Sequence, residues 1–260
     1  MSSPAEAFLR SFHDADPGGS PRCFARGRLP DGASTYARLA RSVGRGEDVL
    51  DLCCGDGWLL AKLTARGARP VGVDLSPGEV AAAQQRGMHA RVARAQALPF
   101  PRRRFDAVVS SWALMLVDDL DVVLAEVLRV LRPGGRFHAI IGTQAPEVPG
   151  NRWPDLVHLI REVPRREQVS LGDPRARDPV ALQALLDDVG FTHVTTEVHA
   201  YDLSGTAEQA ARLVDSMYDA ALMTPAHRGA LAERVHELLD PIHNPLYFGV
   251  MEVTCSAPAD

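Results

Sequence analysis

The stretch VLDLCCGDG, residues 49–57, decides the fold. Its apolar first half predicts a buried strand, and its two glycines predict a turn that leads into a helix over residues 58–66. Glycines in such a turn let the backbone approach a ligand closely, and the first N–H groups of the following helix have no partner within the helix. The segment therefore predicts a ligand site at the end of a strand.

An acidic side chain follows at the end of the next predicted strand. Asp74 lies nineteen residues after Gly55 and is placed to accept hydrogen bonds from both hydroxyls of a ribose. The dinucleotide pattern Gly-x-Gly-x-x-Gly is absent, since Gly57 is followed by Trp58 and no third glycine. Asp51 would repel a pyrophosphate and suit a cationic ligand, such as S-adenosyl-L-methionine (SAM), which carries a sulfonium and an ammonium group.

Strand and helix patterns alternate with short connections along most of the chain, which indicates βαβ units and a parallel sheet. We expect a doubly wound, Rossmann-like α/β fold with a seven-stranded, mostly parallel sheet, an antiparallel last strand and a helical lid. The predicted strands cover residues 47–53, 70–74, 88–94, 105–110, 136–141, 191–203 and 246–255.

The expected organisation is one ligand-binding domain with additions around its site. We expect residues 1–45 to form an N-terminal helical lid segment and residues 46–260 to form the SAM-binding domain. Lid insertions are expected near 142–177 and 206–243, because loops at this edge are where enzymes that share a fold vary their substrates.

Four motifs in order resemble those of class I SAM-dependent methyltransferases, in the group typified by ubiquinone and menaquinone methyltransferases. VLDLCCGDG resembles the glycine motif VLDLGCGTG, and GVDLSPGEV at 72–80 resembles the acidic second motif. The stretches ALPFPRRRFDAVVSSWALMLVDD at 97–119 and VLRVLRPGGRF at 127–137 resemble the other two. The resemblance covers roughly 45–141 and implies SAM as the methyl donor and S-adenosyl-L-homocysteine (SAH) as the product.

The resemblance also implies which residues bind the cofactor. They are Asp51, Cys53, Gly55 and Gly57 of the glycine motif at the methionine end, Asp74 at the ribose, Leu75 on the adenine, Ala95 and Gln96 at the adenine edge, and Ser111 and Trp112 at the methyl-transfer end.

Two positions depart from the family pattern. Cys53 replaces the first glycine of the motif, so we expect a backbone conformation there that suits a non-glycine residue. Arg94 stands where related sequences commonly carry an aspartate that accepts from the adenine amino group, and a guanidinium cannot accept a hydrogen bond. Either the backbone and Gln96 hold the adenine, or this part of the site is modified.

Candidate catalytic residues lie outside the motifs. If the methyl acceptor must lose a proton, a histidine is the natural base, and His13 and His243 are the candidates. Gln144 and Tyr36 are expected to position the substrate. No cluster of acidic and histidine residues follows the motifs, so we expect no metal.

The predicted reaction is methyl transfer to an O, N or C nucleophile of a small, partly apolar molecule, for example a secondary metabolite or a quinone. One alternative is a SAM-fold enzyme with cyclase or pericyclic chemistry, which Arg94 leaves open. Another is a nucleic-acid or protein methyltransferase, since NPLY at 244–247 resembles an Asn-Pro-Pro-Tyr element, although at a different place in the chain. A net charge of −5 argues against a nucleic-acid partner.

The remaining expectations concern location and assembly. The sequence contains no apolar run of the roughly 20 residues that span a bilayer, and its start lacks the pattern of a signal peptide. We therefore expect a cytoplasmic protein, monomer or homodimer, that does not insert into membranes.

Overall fold

One fully buried strand, Asp48–Leu52, lies inside the sheet, with a parallel strand on each side, in a computed structural model that describes residues 3–259. The strands follow the order β3-β2-β1-β4-β5-β7-β6, and β7 runs antiparallel to both of its neighbours. The predicted seven-stranded, mostly parallel sheet is confirmed. Its strands are β1 (Asp48–Leu52), β2 (Arg69–Asp74), β3 (Ala90–Val92), β4 (Phe105–Ser111), β5 (Leu131–Thr143), β6 (Thr192–Asp202) and β7 (Tyr247–Ser256).

Helices cover both faces of the sheet and its C-terminal edge. Those of the described chain are α1 (Pro4–Ala15), α2 (Gly19–Phe24), α3 (Thr35–Arg41), α4 (Trp58–Ala65), α5 (Pro77–Gln85), α6 (Leu120–Val130), α7 (Trp153–Glu162), α8 (Pro179–Val189), α9 (Ala207–Asp215), α10 (Tyr218–Ala221) and α11 (Pro225–Leu238).

The alternation of side chains along β1 divides the core into two layers. Val49 packs with apolar residues of α3, α4, α7, α9 and α11 on one face. Leu50 and Leu52 pack with α6 and α8 on the other face. Asp51 shares the face of Val49, so its carboxylate lies on the side that α3 and α4 cover.

The fifth strand begins earlier than the sequence predicts. Phe105 pairs with Leu131 and Ala107 pairs with Arg136, so a five-residue step of β5 lies opposite a two-residue step of β4. This bulge takes in Pro133, Gly134 and Gly135, which lie before the predicted strand at 136–141. A side chain at Gly135 would lie 2.8 Å from the carbonyl oxygen of Arg132, so the close turn needs a glycine there.

Each of the expected lid segments contains helices. Helices α1 to α3 fall within 1–45, α7 falls within 142–177, and α9 to α11 fall within 206–243. Residues 1, 2 and 260 of the expected boundaries lie outside the described residues. The division into a lid and a SAM-binding domain stays a prediction.

Candidate functional site

A cavity lies at the C-terminal ends of β1, β2 and β4, beside the point where the strand order reverses. Ligands of doubly wound sheets bind at this kind of position. Loops that follow the strands line it together with α1 and Tyr218 of α10. The residues singled out from the sequence that line it are His13, Tyr36, Asp51, Cys53, Gly55, Asp74, Leu75, Ala95, Gln96, Ser111 and Trp112.

The end of β1 presents a buried carboxylate to this cavity. Asp51 is 1% exposed, and its Oδ2 has no hydrogen-bond partner. Burial raises the pKa of this carboxyl well above its ordinary value, and the negative charge of Asp74 raises it further. A buried charge without a partner is costly. A cationic group of a ligand would remove that cost, so Asp51 fits the ammonium end of SAM.

Asp74 connects the two loops that face the cavity. Its Oδ2 accepts from the backbone N–H of Gly55 at 2.9 Å, and its Oδ1 accepts from that of Ser76 at 2.9 Å. Burial raises the pKa of Asp74, while these two hydrogen bonds lower it. Each carboxylate oxygen has a second lone pair, so both can also accept from ribose hydroxyls. The N-cap of α5 is Ser76, whose Oγ accepts from the N–H of Glu79, so Asp74 is not needed for capping.

Two cavity residues adopt a conformation that L-residues rarely take. Cys53 has φ +59°, so the expectation of a backbone suited to a non-glycine residue is wrong. Trp112 has φ +60° and is held by a stacked contact with Phe24 at 4.5 Å and a 3.2 Å hydrogen bond from Nε1 to Thr35 Oγ1. Such a conformation costs about 1–2 kcal/mol and often marks functional sites.

Helix α1 supplies one face to the cavity. Glu6, Leu9, Arg10 and His13 follow the spacing i, i+3, i+4 and i+7, so they lie on one side of the helix. Of these four residues, the sequence analysis identified only His13. The amphipathic pattern was visible in the sequence, but it does not say which surface the helix covers.

His13 lies between an acid and a phenol. Its Nδ1 is 3.1 Å from Glu79 Oε1, and its Nε2 is 3.0 Å from the hydroxyl of Tyr218. Burial raises the pKa of Tyr218, and the charges of Asp74 and Glu79 raise it further, so this phenol keeps its proton at neutral pH. The arrangement fits a neutral imidazole that accepts from Tyr218 and donates to Glu79. Glu79 and Tyr218 are cavity residues that the sequence analysis missed.

Tyr36 lies in the cavity but cannot act as a base. It is 4% exposed, and burial raises the pKa of its phenol, with further contributions from Tyr201 and Asp56. The hydroxyl therefore remains a hydrogen-bond donor at neutral pH. This agrees with the expectation that Tyr36 positions a ligand, which stays a prediction.

Three predicted site residues do not line the cavity. Gly57 begins α4 at φ +79°, and a Cβ there would lie 3.0 Å from the Cβ of Ala83, so this glycine permits close packing against α5. Gln144 is exposed just beyond β5. His243 is exposed in the turn after α11, where its N–H donates to Asp240 at 3.2 Å.

Arg94 is turned away from an adenine-binding role by an ion pair. Its Nε and Nη2 donate to Glu6 Oε1 at 2.9 and 2.6 Å. Gln96, which was expected to contact the adenine edge, donates from Nε2 to the carbonyl oxygen of Asp118 at 2.9 Å. This end of the cavity is therefore built from the loop after β3 together with α1.

The NPLY segment has a structural explanation. Asn244 is 2% exposed, accepts from the N–H of Asp240 at 2.9 Å and donates to the carbonyl oxygen of Asp240 at 2.7 Å. It stabilises the turn before β7 and does not line the cavity. Within residues 3–259, no cluster of three His, Cys, Asp or Glu side chains could hold a metal ion. Over the same residues, no helix is both long and apolar enough to span a bilayer.

Comparison with known proteins identifies the family. Residues 50–139 match the family model described as a methyltransferase domain. A protein of Synechocystis sp. named as an uncharacterized methyltransferase is 34% identical over 165 residues, which are 61% of this chain and 73% of that protein. The demethylmenaquinone methyltransferase of Corynebacterium efficiens is 34% identical over 133 residues, which are 50% of this chain and 56% of that enzyme. The chain thus spans about half the length of the first demethylmenaquinone methyltransferases that it matches.

Solved structures show the same fold. The 4+2 cyclase SpnF superposes with a TM-score of 0.64 at 19% identity, over 100% of this chain and 99% of that one. A phosphoethanolamine N-methyltransferase of Haemonchus contortus in complex with SAM gives 0.63 at 18% identity, over 99% of this chain and 60% of that one.

The chain belongs to the class I SAM-dependent methyltransferases, and SAM is the cofactor. The cavity fits this molecule. The unpartnered oxygen of Asp51 suits the ammonium group, and Asp74 keeps lone pairs for the ribose.

Proposed function

We propose that this protein transfers the methyl group of SAM to an O, N or C nucleophile of a small, partly apolar molecule. The observation that carries the proposal is the buried, unpartnered Oδ2 of Asp51 at the edge of the sheet, since SAM offers the cation that this oxygen lacks. SAM supplies a methyl group on a sulfonium, which is a good leaving group.

The protein's own contribution is alignment and exclusion of water. Asp51 and the backbone around Cys53 and Gly55 bind the methionine end, while Asp74 binds the ribose. Helix α1 covers this half of the cavity through Leu9 and its neighbours.

The part of the cavity near the end of β4 suits an acceptor with an apolar body and polar groups. Leu59, Trp112 and Leu116 are buried apolar residues that line it. Trp58 Nε1 also lines the cavity and is buried without a hydrogen-bond partner, and Ser111 Oγ lines it beside the Tyr36 hydroxyl. Two polar groups in an apolar wall can orient such a molecule. A demethylated quinone is one candidate acceptor, because demethylmenaquinone methyltransferases are among the relatives, and a secondary metabolite is another.

His13 is the best-placed base for an acceptor that must lose a proton. Glu79 holds one ring nitrogen at 3.1 Å, and the other nitrogen accepts from the Tyr218 hydroxyl at 3.0 Å. A proton from the acceptor would therefore pass to the oxygen of Tyr218 as Tyr218 gives its own proton to His13. A carboxylate that orients an imidazole in this way also stabilises the imidazolium that forms. We expect His13→Asn to lower kcat by about 100-fold, with a change in the pH profile of kcat.

The test uses SAM with an isotopically labelled methyl group and a panel of demethylated quinones and phenols. Mass spectrometry of the products should find the label in one acceptor, and the wild-type protein should bind SAH. A ring-closed product without label would instead support the cyclase alternative. Label found only in added nucleic acid or protein would contradict the small-molecule proposal.

A further inference from the structure

The end of the cavity next to β3 contains a second buried carboxylate oxygen without a partner. Glu6 on α1 is 6% exposed and lines the cavity. Its Oε1 accepts from Nε and Nη2 of Arg94, but its Oε2 is buried and has no hydrogen-bond partner. Because an unpaired buried carboxylate oxygen is costly, its position points to a donor that a ligand would bring.

The sheet topology indicates which part of the ligand reaches this oxygen. Asp74 ends β2 and pairs in register with Val92 of β3, the outer neighbour of β2. If Asp74 binds the ribose, the attached base lies over the residues that follow β3, and those residues include Ala95 and Gln96. The Glu6–Arg94 ion pair lies beside the same loop.

Adenine brings one hydrogen-bond donor to that place, its exocyclic amino group. A carboxylate oxygen is a strong acceptor for an amine N–H. We propose that Oε2 of Glu6 accepts a hydrogen bond from the adenine amino group of SAM and SAH, and that Arg94 acts as the positioning residue that fixes this carboxylate. The inference rests on the SAM-binding role proposed above.

Neighbouring contacts fix Glu6 at this end of the cavity. Glu6 lies in the first turn of α1, where its N–H donates to Ser3 Oγ at 3.1 Å. Ser3 in turn donates to Asp118 Oδ2 at 2.6 Å, and Gln96 donates to the backbone of Asp118. The helix start, the loop after β3 and the loop after β4 are therefore joined around the base. Glu6 of the N-terminal helix thus supplies the acceptor that an arginine at position 94 cannot supply.

The test is a calorimetric comparison of SAH with S-inosylhomocysteine, in which a carbonyl oxygen replaces the amino group. The wild type should bind SAH about tenfold or more tightly, because the inosyl ligand removes the donor and places an oxygen against Glu6. Glu6→Gln should reduce this preference to about threefold or less, since a carboxamide can turn its NH₂ group toward the carbonyl oxygen. As a matched control, Glu208→Gln removes another arginine-paired glutamate outside the cavity and should keep the wild-type preference.

A rescue variant separates recognition from general damage. Glu6→Ala should lose the preference for SAH, and adding Arg94→Asp should restore it by placing a carboxylate on the loop side of the same cavity. Equal affinity of the wild type for both ligands, or an undiminished preference in Glu6→Gln, would overturn the assignment. Failure of the wild type to bind SAH at all would instead contradict the proposed function.

Discussion

Two aspartates on the same short strand have opposite environments. At the N-terminal end of β1, Asp48 contacts three arginines, with Arg69, Arg104 and Arg132 at 2.9, 2.8 and 3.0 Å. At the C-terminal end, Asp51 has no hydrogen-bond partner at Oδ2. The hydrogen bond from Arg69 is the main cause that lowers the pKa of Asp48, whereas burial raises the pKa of Asp51.

The difference separates a structural charge from a binding charge. Arginines of the protein form ion pairs with Asp48, so this carboxylate stabilises the fold. It gives Asp51 Oδ2 no partner, so we propose that this carboxylate costs free energy until a cationic ligand binds. The same residue type at two edges of one sheet thus has two environments, one satisfied within the fold and one that we propose a ligand completes.

The largest expected effect comes from Asp51→Asn. The variant removes the charge that we propose binds the ammonium group, so the affinity for SAH should fall by roughly 100-fold in calorimetry. Asp48→Asn is the matched control and should bind SAH like the wild type. Wild-type affinity in Asp51→Asn would remove this residue from the site.

The raised pKa of Asp51 also predicts a pH dependence of binding. A cationic ligand favours the ionised carboxylate, so SAH binding should release a proton below the raised pKa and strengthen as the pH rises, by up to about tenfold per pH unit. Titrations in buffers of different ionisation enthalpy measure this proton release. The release should be lost in Asp51→Asn.

Asp74→Ala should weaken SAH binding by more than about tenfold, because it removes the acceptor for the ribose hydroxyls and the link between Gly55 and Ser76. Asp74→Asn, which keeps an acceptor oxygen, should lose less. Unchanged affinity of both variants would show that the ribose lies elsewhere.

The stability of the ligand-free protein should change in opposite directions in the two β1 variants. Asp48→Asn should lower the free energy of unfolding by about 1 kcal/mol, since its arginine partners are partly exposed. Asp51→Asn should raise it by a similar amount at neutral pH, which corresponds to about 2–4 °C in Tm. Urea unfolding and calorimetry measure both effects.

The signs follow from the two pKa shifts. A lowered pKa gives Asp48 a stabilising contribution that is present at neutral pH. This contribution is lost in acid, as the pH falls below the pKa of Asp48 in the unfolded chain. A raised pKa gives Asp51 a stabilising contribution that is present in acid. This contribution is lost as the pH rises through the pKa of Asp51 in the folded protein. Loss of stability by both variants at neutral pH would contradict the comparison.

The smallest expected effect is at Cys53. Replacement by glycine removes the cost of a left-handed conformation at φ +59° and adds the chain entropy of glycine, for a net gain of about 0.5–1 kcal/mol. Cys53→Ala keeps a Cβ and should show no such gain. Thermal unfolding compares the two variants.

The sequence predicts the sheet side of the cavity well, because contacts there are local. Asp51, Cys53 and Gly55 lie on one turn, and Asp74 is held by a hydrogen bond across nineteen positions at the next strand end. The conformation of Cys53 was mispredicted because hydrogen bonds of the loop, such as that from Cys54 N–H to the carbonyl oxygen of Val73, fix the backbone regardless of the side chain.

The α1 side of the cavity depends on contacts that the sequence does not indicate. Glu6 meets Arg94 across 88 positions, and His13 meets Tyr218 across 205. Gln144 and His243 were expected at the cavity because their segments border this edge, but both side chains are exposed away from it. Tertiary packing decides which residues of a lid face a ligand.

A crystal structure of the protein with SAH tests the central claim most directly. The account predicts the ammonium group within hydrogen-bond distance of Asp51 Oδ2 and the ribose hydroxyls at the Asp74 carboxylate. SAH bound at another place, or side chains filling the space between Asp51 and Asp74, would contradict it.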